Sequence, residues 1–448
     1  MQGVKQMDFI LLGATLIFFG LCLALFSRYI LTAHRGAAIM IKYLAFIMLT
    51  VTYAANASKP QSVPTMDIHK IKPSELLIGP YSYFVPPYSY YYFHHIDKLD
   101  FKLDWIRRAG NIYPLKEPTN SFTTNYTYKK HTYTLNEYMK RNAVTGFLVL
   151  KDNQIIYERY FHGADQHSRF LTNSVGKSIT STLVGIAIED GKIKSVDDPV
   201  IKYLPELNAS GFNRVTLKQA LEMATGLALT YNPYDPHSST QQFHTAVLTG
   251  VPSFTNLLKS LKANPKIKPG TLFDYENENT QALGLVIEKA VGMPFNEYLQ
   301  EKIWKKIGAQ SDAFLYRAKA QRDQPAYGVL SATLRDYGRF GLMIMNGGSL
   351  GGNRVVGPSW IKEAATPAKF AKPADENEGL GYGYQWWIYT DNNDRIFKAL
   401  GIFGQIIYIN PTKHIVIIET SAWQKPEDDM KWAESSKVMD AIVATVSR

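Results

Sequence analysis

Ser174-Val175-Gly176-Lys177, with the apolar run Ser178-Ile-Thr-Ser-Thr-Leu-Val-Gly-Ile-Ala-Ile188 behind it, is the stretch on which the reading of this chain turns. Residues three apart share a helix face, so the hydroxyl and the amine point into one pocket. A serine alcohol is a weak nucleophile until a base removes its proton. A lysine taken out of water is a candidate for that base, because burial disfavours the ammonium form. The run that follows is apolar enough for a buried helix. Ser174 then stands at a helix N-terminus, where free N–H groups favour developing negative charge. The stretch reads as nucleophile and base of an acyl-transferring serine enzyme.

The spacing alone is weak, since Ser359-Trp-Ile-Lys362 repeats it. The ordinary account of such a pair is an N-cap serine and a solvated lysine, and Pro358-Ser359-Trp360 has the look of a plain helix start. Ser174 has context that Ser359 lacks: Tyr275-Glu276-Asn277 ahead of a helix, then Ala399-Leu-Gly401-Ile402-Phe-Gly404-Gln405. The Tyr275 phenol suits proton transfer between Lys177, Ser174 and a leaving group, with core packing as its competing account. Asn277 either bonds a substrate carbonyl or orients Lys177. Gly401 and Gly404 fall where a strand is expected to begin, and glycine in a strand marks close approach by a ligand or another backbone. The Ile402 N–H would there complement that of Ser174 as an oxyanion hole; a bulge without a ligand is the alternative. Tyr408-Ile-Asn410 repeats the tyrosine motif but belongs to a strand and its turn, so it reads as structural.

A rival nucleophile is Ser349 in Gly347-Gly-Ser-Leu-Gly351, with Asp391 and His414 following in triad order. That elbow needs a strand before the serine and a helix after it. Here Tyr337–Met345 has helical character and Gly351-Gly-Asn-Arg354 is a turn. No His-Glu-x-x-His or equivalent spacing implies a metal, and no cofactor is implied. The formal charge of +10 over 448 residues is modest and comes without a long basic run, so there is no case for a nucleic-acid partner. Cys22 is the sole cysteine, which excludes thiol catalysis and internal disulfides downstream of it.

Cys22 lies in an apolar run from Phe9 to Phe26; Arg28, His34, Arg35 and Lys42 follow, then a second run from Tyr43 to Tyr53. Ala55-Asn56-Ala57 ends it as a signal-peptidase type of site, with Met40-Ile-Lys42 supplying a start and a positive n-region. Residues 1–57 are therefore expected to be a membrane segment or a signal peptide whose true start is Met40. Either way residue 58 onward is exported, periplasmic or membrane-anchored, and touches the membrane only through the leader.

Residues 58–134 are an extension rich in Pro, Tyr and Asn; its run Tyr81–Phe93 is either a cleft lining or a strap along the outside. Gly146–Leu150 and Ile155–Phe161 around Asp152-Asn153 form a hairpin. Residues of about 200–320 read as helical: Thr216-Leu-Lys-Gln219 is a capping box for a helix closed by Gly226, and Thr280–Val291 is closed by Gly292. Pro294–Ile307 continues in the same way. Strands return at 384–389, 395–400, 405–409 and 414–419, ahead of an amphipathic helix from about Met430 to Val446. The fold class is α+β: an antiparallel sheet closed across the chain and flanked by helices, with an inserted all-helical subdomain. Residues 135–448 form that domain.

From about Leu135 onward these features resemble the serine β-lactamase and penicillin-binding-protein superfamily in its class C-like branch. The resemblance rests on Thr145-Gly-Phe-Leu-Val149, Tyr157-Glu-Arg-Tyr-Phe-His-Gly163, the Ser174 motif, Asp197–Pro205 and Ala224-Thr-Gly-Leu227. It continues through Asn279–Gly284 and Gly381–Trp387. Within the branch the chain is most similar to the 6-aminohexanoate-dimer hydrolase group, whose members cleave amides and esters. The resemblance implies a β-lactamase/transpeptidase-like fold, Ser174 as acylated nucleophile, Lys177 as base, Tyr275 as relay, and the Ser174 and Ile402 N–H groups as oxyanion donors. One motif departs. The superfamily's third motif begins with Lys or His, then Thr or Ser, then Gly, whereas this chain has Ala399-Leu400-Gly401. Lys398 is one position off, and strand alternation aims it at the opposite face. A small amide or ester substrate is thus expected ahead of penicillin or a D-Ala-D-Ala-type cell-wall peptide. A non-catalytic envelope module that binds or senses such a ligand is the reading from outside enzymology.

Overall fold

The computed structural model describes residues 86, 88–117, 122–230, 235, 237–370, 380–389 and 395–447. The chain divides into two units, Met1–Thr65 and Met66–Arg448, and the description below concerns the second. The leader and its cleavage site lie outside the described residues. Among those described, no helix is long and apolar enough to cross a membrane.

Among the described residues there are fifteen strands. The first six are β1 Lys102–Ile106, β2 Asn125–Tyr128, β3 His131–Thr134, β4 Val144–Lys151, β5 Gln154–Tyr160 and β6 Phe170–Leu171. Next come β7 Ala313–Arg317, β8 Leu330–Ala332, β9 Ser349–Leu350 and β10 Asn353–Arg354. The last are β11 Leu380–Tyr382, β12 Trp387–Tyr389, β13 Phe397–Gly401, β14 Gln405–Asn410 and β15 Ile415–Ser421. Six helices matter here: α1 Tyr88–Tyr92, α2 Leu135–Arg141, α3 Gly176–Glu189, α4 Asn277–Val291, α5 Leu334–Met345 and α6 Asp429–Val446.

The main sheet has the order β11-β12-β13-β14-β15-β4-β5 and is antiparallel throughout. The pairing of β15 with β4 closes it across the chain, as expected from the hairpin and the meander. Alternation explains its two faces. Leu148, Leu150, Ile407, Ile409, Val416 and Ile418 pack with Tyr337, Phe340 and Met343 of α5. Phe147, Val149, Ile406, Tyr408, Ile415 and Ile417 pack with Tyr138 and Met139 of α2 and Val438, Met439 and Ile442 of α6. Burial of each such side chain contributes roughly 1.5–3 kcal/mol. With both faces covered, every residue of β15 is buried. At the β4–β5 turn Asp152 and Asn153 take φ +49° and +65°, the left-handed pair that a two-residue hairpin demands and Asp/Asn tolerate.

A second sheet, β1-β7-β8-β6, ends three residues before Ser174. It corrects one expectation. The region about 200–320 is not all helical, because Ala313–Arg317 is a strand. Within the extension, Lys102–Ile106 is an edge strand paired with β7, for which the sequence reading made no assignment. Each strand is stabilised by a partner distant in sequence, which local propensity does not register. The Thr216/Gln219 capping box is present, but the helix stops at Leu221 rather than Gly226. Met223, at φ +55°, already breaks the helical path.

Candidate active site

Twelve of the fourteen residues of α3 are buried, as its nearly all-round apolar sequence requires. A single 3₁₀ turn, Asn173–Val175, feeds it and carries Ser174. Asn173 has φ +48°, and its side-chain amide donates to the Ile402 carbonyl at 3.1 Å. This ties the turn to the end of β13.

Lys177 is 1% exposed. Its Nζ lies 2.9 Å from Ser174 Oγ, 2.6 Å from Asn277 Oδ1 and 2.9 Å from the Tyr327 carbonyl. Burial lowers its pKa to about 7, while the fields of Glu278 and, less strongly, Glu276 pull it back up. The neutral amine has two N–H donors and one lone pair. Both carbonyl oxygens can only accept, so they take the two N–H groups and the lone pair is left to the Ser174 hydroxyl. The contacts thus leave Lys177, when neutral, placed to act as a base toward Ser174.

Tyr275 precedes α4, and Asn277 is that helix's first residue. Burial pushes the Tyr275 phenol up, and its hydrogen bond with Ser174 brings it back down in part. Its ring packs against Trp387 at 5.6 Å and edge-on to Tyr382 at 6.0 Å, with Lys177 Nζ 5.1 Å from its centroid. A π-face at that distance favours the ammonium formed once Lys177 takes a proton. Glu278 is 1% exposed and burial raises it to about 8; burial and then Asp274 raise Glu276 to about 7.

Gly401 ends β13 rather than beginning a strand. Alternation places Phe397, Ala399 and Gly401 on one face and Lys398 and Leu400 on the other. A Cβ on Gly401 would run into the Thr172 carbonyl and stand 3.2 Å from the Ser174 nitrogen, so only glycine lets the two backbones meet. Ile402 is half-buried in the turn that follows. Gly404 has another place. It has φ +83° in the β13–β14 turn and sits on the Trp423 indole, which explains glycine there without a substrate. Lys398 reaches Tyr389 Oη at 2.6 Å and Ser436 Oγ at 3.0 Å, on the face away from Ser174.

Ser174, Lys177, Tyr275, Asn277 and Gly401 therefore converge. The rivals do not. Ser349 lies in a two-residue strand of a small hairpin, and exposed His414 lies 3.7 Å from Asp152 at another turn; Asp391 is outside the described residues. Ser359 and Lys362 are exposed on a short helix, Pro358–Ala364. Tyr327 was not legible as a site residue, because a backbone carbonyl has no signature of its own. The adjacent Gly328, pressed against Asn173, was the available signal.

The family model described as Beta-lactamase matches residues 134–436. A 6-aminohexanoate-dimer hydrolase of Paenarthrobacter ureafaciens is 29% identical over 335 residues, covering 69% of this chain and 82% of its own. A Bacillus anthracis structure provisionally described as a 6-aminohexanoate-dimer hydrolase has a TM-score of 0.70 at 22% identity, over 80% of this chain and 95% of that one. A penicillin binding protein from Bacillus halodurans has a TM-score of 0.53 at 17% identity, over 68% and 98%. The two structures share the fold.

Proposed function

The chain belongs to the Beta-lactamase family, a hydrolase family, and on that premise we propose that it cleaves an amide or ester through a Ser174 acyl-enzyme. The observation that carries the reading is the buried Lys177 amine, 2.9 Å from Ser174 Oγ and held there by two carbonyl oxygens. As Oγ attacks the carbonyl carbon, its proton passes to Nζ. The Tyr275 phenol gives its proton to the leaving amine or alcohol and recovers one from Nζ. Water then attacks the acyl carbon by the same route in reverse. The Ser174 and Ile402 N–H groups receive the oxyanion. Asn277 orients Lys177 in the free enzyme.

Lys398, turned away from the pocket, leaves no cation at the third motif to grip a substrate carboxylate. This favours a simpler amide or ester over a penicillin or a D-Ala-D-Ala peptide. The Paenarthrobacter relative, a 6-aminohexanoate-dimer hydrolase by name, supports an amide. The test is labelling of wild type and Ser174→Ala by a fluorophosphonate and by a fluorescent penicillin. Labelling of wild type by the first alone, lost in Ser174→Ala, is expected. Strong penicillin labelling would move the reading to a β-lactamase or cell-wall peptidase, and none by either would leave a ligand-binding module.

A further inference from the structure

In the segment that precedes the matched region, one residue contacts both the strand leading into the Ser174 turn and the Ile402 turn. Phe93, directly after α1, is 1% exposed. Its carbonyl accepts the Leu171 N–H at 2.7 Å, three residues before Ser174. Its ring meets Phe403 edge-on, centroids 5.4 Å apart at 68°, and Phe403 follows Ile402. Phe403 has φ +67°, a conformation that a bulky side chain holds only where its surroundings impose it. Its backbone is held by the Trp423 backbone N–H and the Gln405 side-chain amide, which donate to its carbonyl at 3.3 and 3.1 Å, and by the Pro426 carbonyl, which accepts its N–H at 2.8 Å, while the Phe93 ring packs against its side chain.

The two N–H groups proposed for the oxyanion come from positions far apart in sequence, 174 and 402. Their separation has to be fixed, because each donor must stand about 2.7–3.1 Å from the charge it stabilises. The Asn173 amide ties the two turns from within. Phe93 ties them from outside, by a hydrogen bond to Leu171 of β6, which leads into the first turn, and a ring contact to Phe403 in the second. We propose that Phe93 is a positioning residue that sets the distance between the Ser174 and Ile402 N–H groups, making the N-terminal extension part of the catalytic machinery. The inference rests on the hydrolase reading above.

The experiment compares the full chain as wild type, Phe93→Ala and Phe93→Leu in steady-state hydrolysis of a short-chain p-nitrophenyl ester, below each protein's melting midpoint. Phe93→Ala is expected to lower kcat by about 10- to 100-fold, the scale of an ångström of misplacement. KM should change by less than about twofold, as for an interaction made only in the transition state. Phe93→Leu, which refills most of the space, should recover most of the loss. A folded Phe93→Ala with kcat within about threefold of wild type, or a loss confined to KM, overturns the proposal. If the alanine variant does not fold, Phe93→Val is held to the same thresholds. Failure of the hydrolase reading has a separate signature: Ser174→Ala would then be as active, or as inactive, as wild type.

Discussion

At the residue scale the proposed chemistry depends on one amine kept dry. Lys177 must be neutral to accept the Ser174 proton, and burial brings its pKa to about 7. Acylation by a fluorophosphonate should therefore rise with pH through about 7 and level off above it, a profile read from labelling rates between pH 5 and 9. Lys177→Arg keeps a cation that does not lose its proton, so labelling should fall at least about 100-fold at every pH. A variant that still labels with the same pH profile would remove Lys177 from the base role. The candidate residues were legible because each carries a distinctive side chain or lies in a fixed motif: Ser174 and Lys177 by helical spacing, Tyr275 and Asn277 by the turn before a helix. The Tyr327 carbonyl and the buried fields of Glu276 and Glu278 were not. Their effect depends on a dielectric environment that only packing creates.

At the element scale, α1 and the residues after it show how a Tyr-rich run without periodicity acquires a fixed place. His94, 3% exposed, packs near Phe170 and Tyr91, and neither ring nitrogen has a hydrogen-bond partner among the described residues. Burial, helped by His95 and His162, lowers its pKa to about 3 from an ordinary 6.5. Between those values the unfolded chain binds the extra proton, so stability rises with pH across that window. The contribution is complete above about pH 6.5 and lost as pH falls toward about 3. It amounts to a few kcal/mol at most, on the order of that shift. His94→Phe should flatten the difference in urea-unfolding free energy between pH 7 and pH 4.5. An unchanged difference would show that acid acts elsewhere. The hairpin and meander strands were readable from alternation and turn residues. The α1 segment and the residues after it were not, since their place also depends on rings distant in sequence: Tyr90 stacks on His162, Phe93 meets Phe403 and His94 lies near Phe170.

At the scale of the whole molecule, β1 joins the extension to the hydrolase domain through the second sheet. Asp104 and Arg317, 8% and 9% exposed, form a two-pronged ion pair across the β1–β7 ladder. Asp104→Ala would strand a buried guanidinium, so it should cost about 3 kcal/mol in urea unfolding. A change below about 1 kcal/mol would mean that the pair contributes no more than an exposed ion pair does. The sequence by itself determined the helix that carries the serine and the lysine, the closing strands, the displaced Lys398 and the family. These follow from periodicity, spacing and side-chain type, which are local properties of the chain. Only the tertiary structure decided that Gly401, rather than Gly404, meets Ser174, that Tyr327 helps hold Lys177, and that Phe93 contacts both β6 and the Ile402 turn. Those outcomes depend on which distant backbones come within contact distance, and close packing alone fixes that.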